Sequence, residues 1–353
     1  MSKLKNVLNG RKLIVALNSQ SYSHYYAGEK IKVLSGSGGA QHLMDHILKD
    51  TGGTMVALSS GDADGEFSTT DGIPVPPDNP SYQLRRIFLS KDQIENYYYG
   101  FSNQTLWPLM HLAFTKPQFK ELWWKSYKEV NEIFAETIIE EVQKDPNVFI
   151  WINDYQLCLV PEMIKKKFPD IPIGVFWHIP WPIYALFSLC PWSRDLIKGM
   201  LAADFIGFHN NRYVKNFIDA AVSELDIKAK PTEHSLLFDK KVTYLDGLPA
   251  GIGYDAITTY LSVLEKKDWV KKDFSFSYDE LIIGVDRLDY TKGIIERLII
   301  LDAFFETYPQ YIGKLVHLLI GAPTRTLIPD YMTLTANVEK LIRELNWKYQ
   351  SAS

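Results

Sequence analysis

Leu281-Ile282-Ile283-Gly284-Val285-Asp286-Arg287-Leu288-Asp289-Tyr290-Thr291-Lys292-Gly293 is the stretch that decides how this chain folds. Its apolar start, Leu281 to Val285, reads as a strand, and Ile294, Leu298, Leu301 and Phe305 follow near helical spacing. Strand, charged loop and helix start form the place where an α/β protein puts a phosphate site. An Arg and a Lys five residues apart, beside the exposed N–H groups of a helix N-terminus, can hold a diphosphate and stabilise charge that develops on it. A solvated charged turn is the plainer alternative, and the surrounding chain decides between the two.

At 353 residues the chain exceeds what one hydrophobic core organises, so two domains are expected. The hydrophobic share of 46% and charged share of 23% are those of a soluble globular protein. A net charge of −4 gives no general reason to bind nucleic acid or an anionic membrane. Cys158 and Cys190 lie in apolar surroundings without C-x-x-C spacing, which suggests neither a disulfide framework nor a thiolate metal site and fits a reducing cytoplasm. No run approaches the ~20 apolar residues of a membrane helix.

Strand candidates alternate with helices along the chain. Leu13 to Leu17 reads as a first buried strand, followed by a polar loop, Ser19 to Ser35. Gly36-Ser37-Gly38-Gly39 then opens a helix whose inner face is Ala40, Leu43, Met44, Ile47 and Leu48, and glycines there let a ligand approach the backbone. His42 and His46 share the spacing of a two-His metal site, but no third ligand is evident, so no metal is expected. Ser90 with Gln93 has the form of a capping box. The aromatic segment Tyr97 to Pro108 reads as core or as a sugar platform. A helix from Phe119 to Gln143 follows, with Tyr127, Val130, Phe134, Ile138 and Val142 inward.

Val148 to Ile152 reads as a strand that stops at Asn153-Asp154, and Ile173 to Trp177 as one that stops at His178. Successive strands thus deliver an Asp and a His at their carboxyl ends, which face the ligand crevice in an open α/β sheet. Phe205 to Phe208 is a further strand, the segment from Ser223 to Lys241 is mixed and polar, and Pro249 to Gly253 marks the crossover between domains 1–255 and 256–353. Charges crowd Lys266 to Asp273, as on an exposed helix and turn. A strand from Lys314 to Ile320, a loop ending at Arg325 and a helix from Met332 to Tyr349 close the chain.

Taken together, Trp151-Ile152-Asn153-Asp154-Tyr155-Gln156-Leu157, His178-Ile179-Pro180-Trp181-Pro182 and Val285 to Gly293 resemble the trehalose-6-phosphate synthase family of glycosyltransferases. The resemblance runs from about Leu13 to the end of the chain. It implies an α/β fold of two Rossmann-like domains with parallel sheets, the GT-B architecture, with acceptor bound by the first and nucleotide sugar by the second. It implies transfer of glucose, commonly from UDP-glucose, to glucose 6-phosphate with retention and without a cofactor or required metal. Arg287 and Lys292 would grip the donor diphosphate, with Gly38 and Gly39 near the donor. Asp154 would hold acceptor hydroxyls, His178 would sit by the transferred sugar, and Tyr98, Trp107 and Arg325 would hold the acceptor's sugar or phosphate.

Three departures qualify what the resemblance implies. Ser19 stands where the family has an Arg, and Met55 where it has an aromatic acceptor residue. Asn153 and Gln156 replace the His residues that usually flank the Asp. Another phosphorylated acceptor is therefore the alternative, as in glucosylglycerol-phosphate synthase. The family's last third, with its Asp-Gly-Met-Asn-Leu donor motif, has no counterpart, so the second domain is expected to be incomplete and the chain a fragment. On that account a non-catalytic sugar-phosphate-binding subunit, in a homo-oligomer or synthase complex, is the competing reading.

Overall fold

The computed structural model of the chain describes residues 3–36, 38–113, 115–227, 229–230, 234–264 and 278–350. The charged run Lys266 to Asp273 lies outside the described residues. Two compact units divide it, Met1–Ala250 and Gly251–Ser353.

In the first unit the strands are β1 (Lys12–Ser19), β2 (Tyr22–Ala27), β3 (Lys30–Ser35), β4 (Thr54–Leu58), β5 (Ile73–Val75), β6 (Tyr82–Ile87), β7 (Val148–Asn153), β8 (Ile173–Trp177), β9 (Phe205–Phe208), β10 (Ala229–Lys230), β11 (Ser235–Phe238) and β12 (Lys241–Gly247). Among the described residues they build a ten-stranded sheet in the order β10-β11-β12-β9-β8-β7-β1-β4-β6-β5, with β2 and β3 as a separate pair. From β12 across to β6 every pairing is parallel. The chain runs from β1 outward to β6, then returns to the other side of β1 as β7, β8 and β9. The order therefore reverses between β1 and β7, and the crevice for a ligand opens at their carboxyl ends.

Apolar runs account for these strands. Leu13 to Leu17 and Ile173 to Trp177 are buried throughout, as strands of a sheet covered on both faces must be. The helix Glu121–Lys144 lays Tyr127, Val130, Phe134, Ile138 and Val142 on the core at 0% exposure. Each such side chain removed from water contributes about 1.5–3 kcal/mol.

Several sequence readings change. The polar stretch from Ser19 to Ser35 is a hairpin, turned at Gly28 with φ of 68°. Five of the six positions of β3 are exposed, Val33 and Leu34 among them, so its apolar residues mark no buried face. The polar segment from Ser223 to Lys241 likewise contains the antiparallel β10 and β11. The aromatic segment Ile94–Leu106 winds as a π-helix behind the Ser90–Gln93 capping box.

The second unit pairs β13 (Glu280–Arg287) with β14 (Leu315–Ala322) in parallel. The strand continues past Val285 through Asp286 and Arg287, where the sequence suggests loop. Helices Ile294–Thr307 and Pro329–Tyr349 pack on one another through Ile294, Leu298, Val338 and Leu345. Ile282, Ile283, Val285 and Ile320 of the strand pair are exposed.

Candidate active site

Asp154 follows β7 with φ of 72° and ψ of 176°, a backbone region that is essentially glycine's own. Its N–H donates to the Phe176 carbonyl at 2.8 Å, and its Oδ1 accepts from the His178 N–H at 3.1 Å. Asp154 and His178 are thus brought together across the ends of β7 and β8. The His178 ring meets Asn153, whose Oδ1 lies 3.0 Å from Nε2, while Asn153 Nδ2 donates to the Ala16 carbonyl at 3.2 Å. With its amide nitrogen on Ala16, Asn153 offers His178 only an acceptor. The neutral imidazole therefore carries its proton on Nε2 and a lone pair on Nδ1.

Burial, aided by neighbouring His209, pushes the His178 imidazole down to about 4. His209 follows β9 as His178 follows β8, and the Phe176 ring lies against both, at 4.7 Å from His178 and 5.2 Å from His209. Burial lowers its own proton affinity, although a hydrogen bond to the His178 backbone favours its charged form. Sequence reasoning misses His209 and treats Asn153 only as a departure. Extending the strand-end count to a third strand would have found His209.

The π-helix is tied to the same edge. Tyr97 is fully buried and its hydroxyl donates to Asn18 Oδ1 at 2.8 Å, while Tyr155 donates to Asn103 Oδ1 at 3.0 Å. Asn103 and Gln104 side chains bond the carbonyls of Tyr98 and Tyr99, five residues back, which suits the wider turn. Tyr98 is half-buried and edge-on to Tyr99, whereas the Trp107 ring is 6% exposed and packed against His111 and Tyr155. Trp107 thus offers a ligand little surface and serves the packing of this wall.

Gly38 is the N-cap of the helix Gly39–Thr51, and its N–H donates to Gln41 Oε1 at 2.8 Å. Gln41 in turn bonds the Gln20 carbonyl, just beyond β1, so the glycine loop sits at the carboxyl edge of the sheet. A side chain at Gly39 would meet nothing within 4 Å, which leaves the space in front of this helix start open. On the same helix Asp45 accepts from Tyr82 and Tyr22 and pairs with Lys49. Among the described residues no cluster of His, Cys, Asp or Glu could hold a metal ion.

In the second unit Arg287 ends β13 and Lys292 ends the turn Tyr290–Lys292, and both side chains are exposed. Gly293, with φ of 61°, starts the helix Ile294–Thr307 behind them. Asp289 between the two cations is fully buried: Oδ1 accepts from the Thr291 N–H and hydroxyl, Oδ2 from Arg325 Nη1 at 2.8 Å and the Tyr331 hydroxyl at 3.1 Å. Burial alone would raise its carboxyl, but the Thr291 amide and the Arg325 charge outweigh it and hold it below the usual range. Arg325, which the resemblance assigns to the acceptor, is turned inward at 7% exposure.

The model of glycosyltransferase family 20 matches residues 10–353. The chain belongs to glycosyltransferase family 20. It is 34% identical over 270 residues to the UDP-forming α,α-trehalose-phosphate synthase of Pichia angusta, covering 74% of this chain and 56% of that protein. The chain therefore spans little more than half that relative's length. A UDP-forming synthase from Burkholderia xenovorans, solved in complex with glucose 6-phosphate, aligns with a TM-score of 0.82 at 25% identity, covering 97% of this chain and 72% of that one. A structure described as trehalose-6-phosphate from E. coli bound with UDP-2-fluoro glucose aligns at 0.77 and 25%, covering 97% and 71%. The fold is accordingly α/β with a large, mostly parallel sheet, as in GT-B structures.

Ser19, at the end of β1, is half-buried. Met55 is fully buried in the core with Val15, Leu17 and Leu84, and Ser21 donates to its sulfur at 3.3 Å, so it lines no pocket. Both cysteines are buried free thiols that burial pushes up to about 12. Among the described residues no helix is long and apolar enough to cross a membrane.

Proposed function

We propose that the chain carries the acceptor half and the diphosphate clamp of a retaining glucosyltransferase, which moves glucose in the cytoplasm from UDP-glucose to glucose 6-phosphate. The observation that carries this is the Asp154–His178 pair, with a strained Asp backbone held at the switch point of the sheet. Strain of about 1–3 kcal/mol persists where the surroundings over-determine it, which is characteristic of functional sites. Asp154 would accept from acceptor hydroxyls, and the neutral His178 would accept from a donor-sugar hydroxyl at Nδ1.

Transfer breaks the bond between the anomeric carbon and the β-phosphate oxygen and forms one to the acceptor oxygen on the same face. The acceptor's proton passes to the departing phosphate oxygen, so no carboxylate nucleophile is needed. Charge grows on the leaving diphosphate, and the exposed Arg287 and Lys292 beside a helix start suit its stabilisation. In assays of the full chain with UDP-glucose and glucose 6-phosphate, Lys292→Ala or Arg287→Ala should lower turnover about 10²-fold or more. Turnover within a few fold of wild type would remove the leaving-group role.

A second reading, with a different phosphorylated acceptor such as glycerol 3-phosphate, is favoured by Ser19. One charged contact to phosphate contributes about 1.5–3 kcal/mol. Ser19→Arg should then lower the KM for glucose 6-phosphate about tenfold, and an unchanged KM would argue against a phosphate subsite there.

A further inference from the structure

Gln20 follows β1 and is 1% exposed, with both polar atoms of its side chain engaged. Its Oε1 accepts from Arg86 Nε at 2.7 Å, and its Nε2 donates to Asp64 Oδ2 at 2.6 Å and to the Ser23 hydroxyl at 2.9 Å. Asp64 and Arg86 form an ion pair at 3.2 Å, their side chains 0% and 1% exposed. Asp64 also accepts from the backbone N–H groups of His24, Ser60 and Gly61, while Arg86 donates to Ser68 and to the Tyr22 carbonyl. All three guanidinium nitrogens and both carboxylate oxygens are thus engaged within the protein, and the network joins the ends of β1, β4 and β6 to the β2–β3 hairpin.

The backbone beside this network holds something else. The Gln20 carbonyl accepts from Gln41 Nε2 at 2.7 Å, and Gln41 Oε1 accepts from the Gly38 N–H at 2.8 Å. The Ser21 carbonyl accepts from the Gly36 N–H, also at 2.7 Å. Gln20 therefore carries a buried charged network on its side chain and the start of the helix Gly39–Thr51 on its carbonyl.

We infer that Gln20 is a positioning residue for the nucleotide sugar: anchored by the Asp64–Arg86 pair, it sets through Gln41 where Gly38 stands in front of that helix. The inference rests on the reading that places Gly38 and Gly39 near the nucleotide sugar. Well-packed apolar side chains would join the strand ends at least as firmly, since a buried ion pair often adds nothing to stability. A fully satisfied polar network adds direction, because it holds the Gln20 side chain in one orientation and with it the carbonyl that Gln41 meets.

The test is calorimetric titration of the full chain with UDP-glucose and, separately, with glucose 6-phosphate, joined to NMR hydrogen exchange of the Gly38 amide. Variants are Gln20→Met, Gln41→Met and the two combined. Thr243→Val, which removes a buried hydroxyl bonded to the Leu201 and Ala203 carbonyls, controls for destabilisation alone. Gln20→Met should weaken UDP-glucose about fivefold, the worth of one neutral hydrogen bond, speed exchange at Gly38 and leave glucose 6-phosphate within twofold of wild type. Gln41→Met should do the same, and the double variant should add little, since both act on one tie. Thr243→Val should leave all three readings at wild type.

Unchanged UDP-glucose affinity in Gln20→Met would overturn the inference. Should that variant not fold, unchanged affinity in Gln41→Met, whose side chain is only half-buried, would overturn it instead. An equal loss in Thr243→Val would reduce the effect to stability, and weakened glucose 6-phosphate with UDP-glucose unchanged would put Gln20 on the acceptor side; either result defeats the inference. A wild-type chain that binds no UDP-glucose would defeat the nucleotide-sugar reading and this inference together, whereas binding in the wild type with unmoved variants defeats the inference alone.

Discussion

Asn153 sets its Oδ1 3.0 Å from Nε2 of His178, so the imidazole is held as a neutral donor toward the protein and an acceptor on its other nitrogen. Asn153→Asp would replace that amide by a carboxylate of nearly the same shape, which favours the imidazolium. The His178 proton affinity, now about 4, should rise toward or above its ordinary 6.5. Wild-type kcat/KM should show no titration of this group between pH 8 and 5, whereas the variant should lose activity as its Nδ1 takes a proton. NMR titration of the imidazole checks the shift directly, and an unmoved His178 would contradict the tautomer assigned to it.

The backbone of Asp154 offers a cleaner separation of strain from chemistry. Asp154→Gly and Asp154→Ala both remove the carboxylate that accepts from the His178 amide, but only Gly is at ease at φ of 72° and ψ of 176°. Both variants should lose activity. Urea unfolding should nonetheless find Asp154→Gly more stable than Asp154→Ala by about 1–2 kcal/mol. Equal midpoints would mean that the turn relaxes once the carboxylate is gone.

What is legible in the sequence follows burial and repetition. Ile173–Trp177 and Phe205–Phe208 read out residue for residue because strands covered on both faces leave unbroken apolar runs. The 24 residues of Glu121–Lys144 repeat their stripe often enough to name Tyr127, Val130, Phe134, Ile138 and Val142, though not Trp123, Trp124, Ser126, Asn131 and Ala135, which are buried too. The β2–β3 hairpin escapes the same reading because β3 is exposed at five of its six positions, so its apolar residues Val33 and Leu34 mark no buried face. Asp154 and His178 are visible as strand ends, but the inward turn of Arg325 is not. It depends on a carboxylate 36 residues away, and no local pattern encodes such a pairing.

Stability should fall steadily on acidification. Burial lowers the proton affinity of His178 and, together with the Arg86 charge, that of His24. The unfolded chain therefore takes up protons near 6.5 before the folded one does, and stability present above that pH is lost as pH falls toward about 4. For His178 alone the full loss is up to about 3 kcal/mol. Asp64 and Asp289 are both lowered despite burial, Asp64 by the His24 amide, Gln20 and Arg86, so their contribution disappears at still lower pH with the same sign. Denaturant midpoints at pH 7, 5.5 and 4.5 should decrease in that order, and a rise on acidification would refute the assignment.

Gly284 owes its identity to a side chain above it. An added Cβ would lie 3.0 Å from Arg297 Nη1 and 3.3 Å from His317 Nε2. The same guanidinium pairs with Asp286 at 2.6 Å, the residue before Arg287, and its buried Nε makes no hydrogen bond among the described residues. Gly284→Ala should therefore push Arg297 off Asp286, costing about 1 kcal/mol by unmaking a charged hydrogen bond. In an Arg297→Ala/His317→Ala background both tight contacts are gone, and the same substitution in a strand should be neutral or stabilising by about 0.5–1 kcal/mol. The reversal of sign between backgrounds, read by urea unfolding, is the expected signature of direct contact. Additive effects would mean that the strand shifts to accommodate the methyl group and that Arg297 does not determine the glycine.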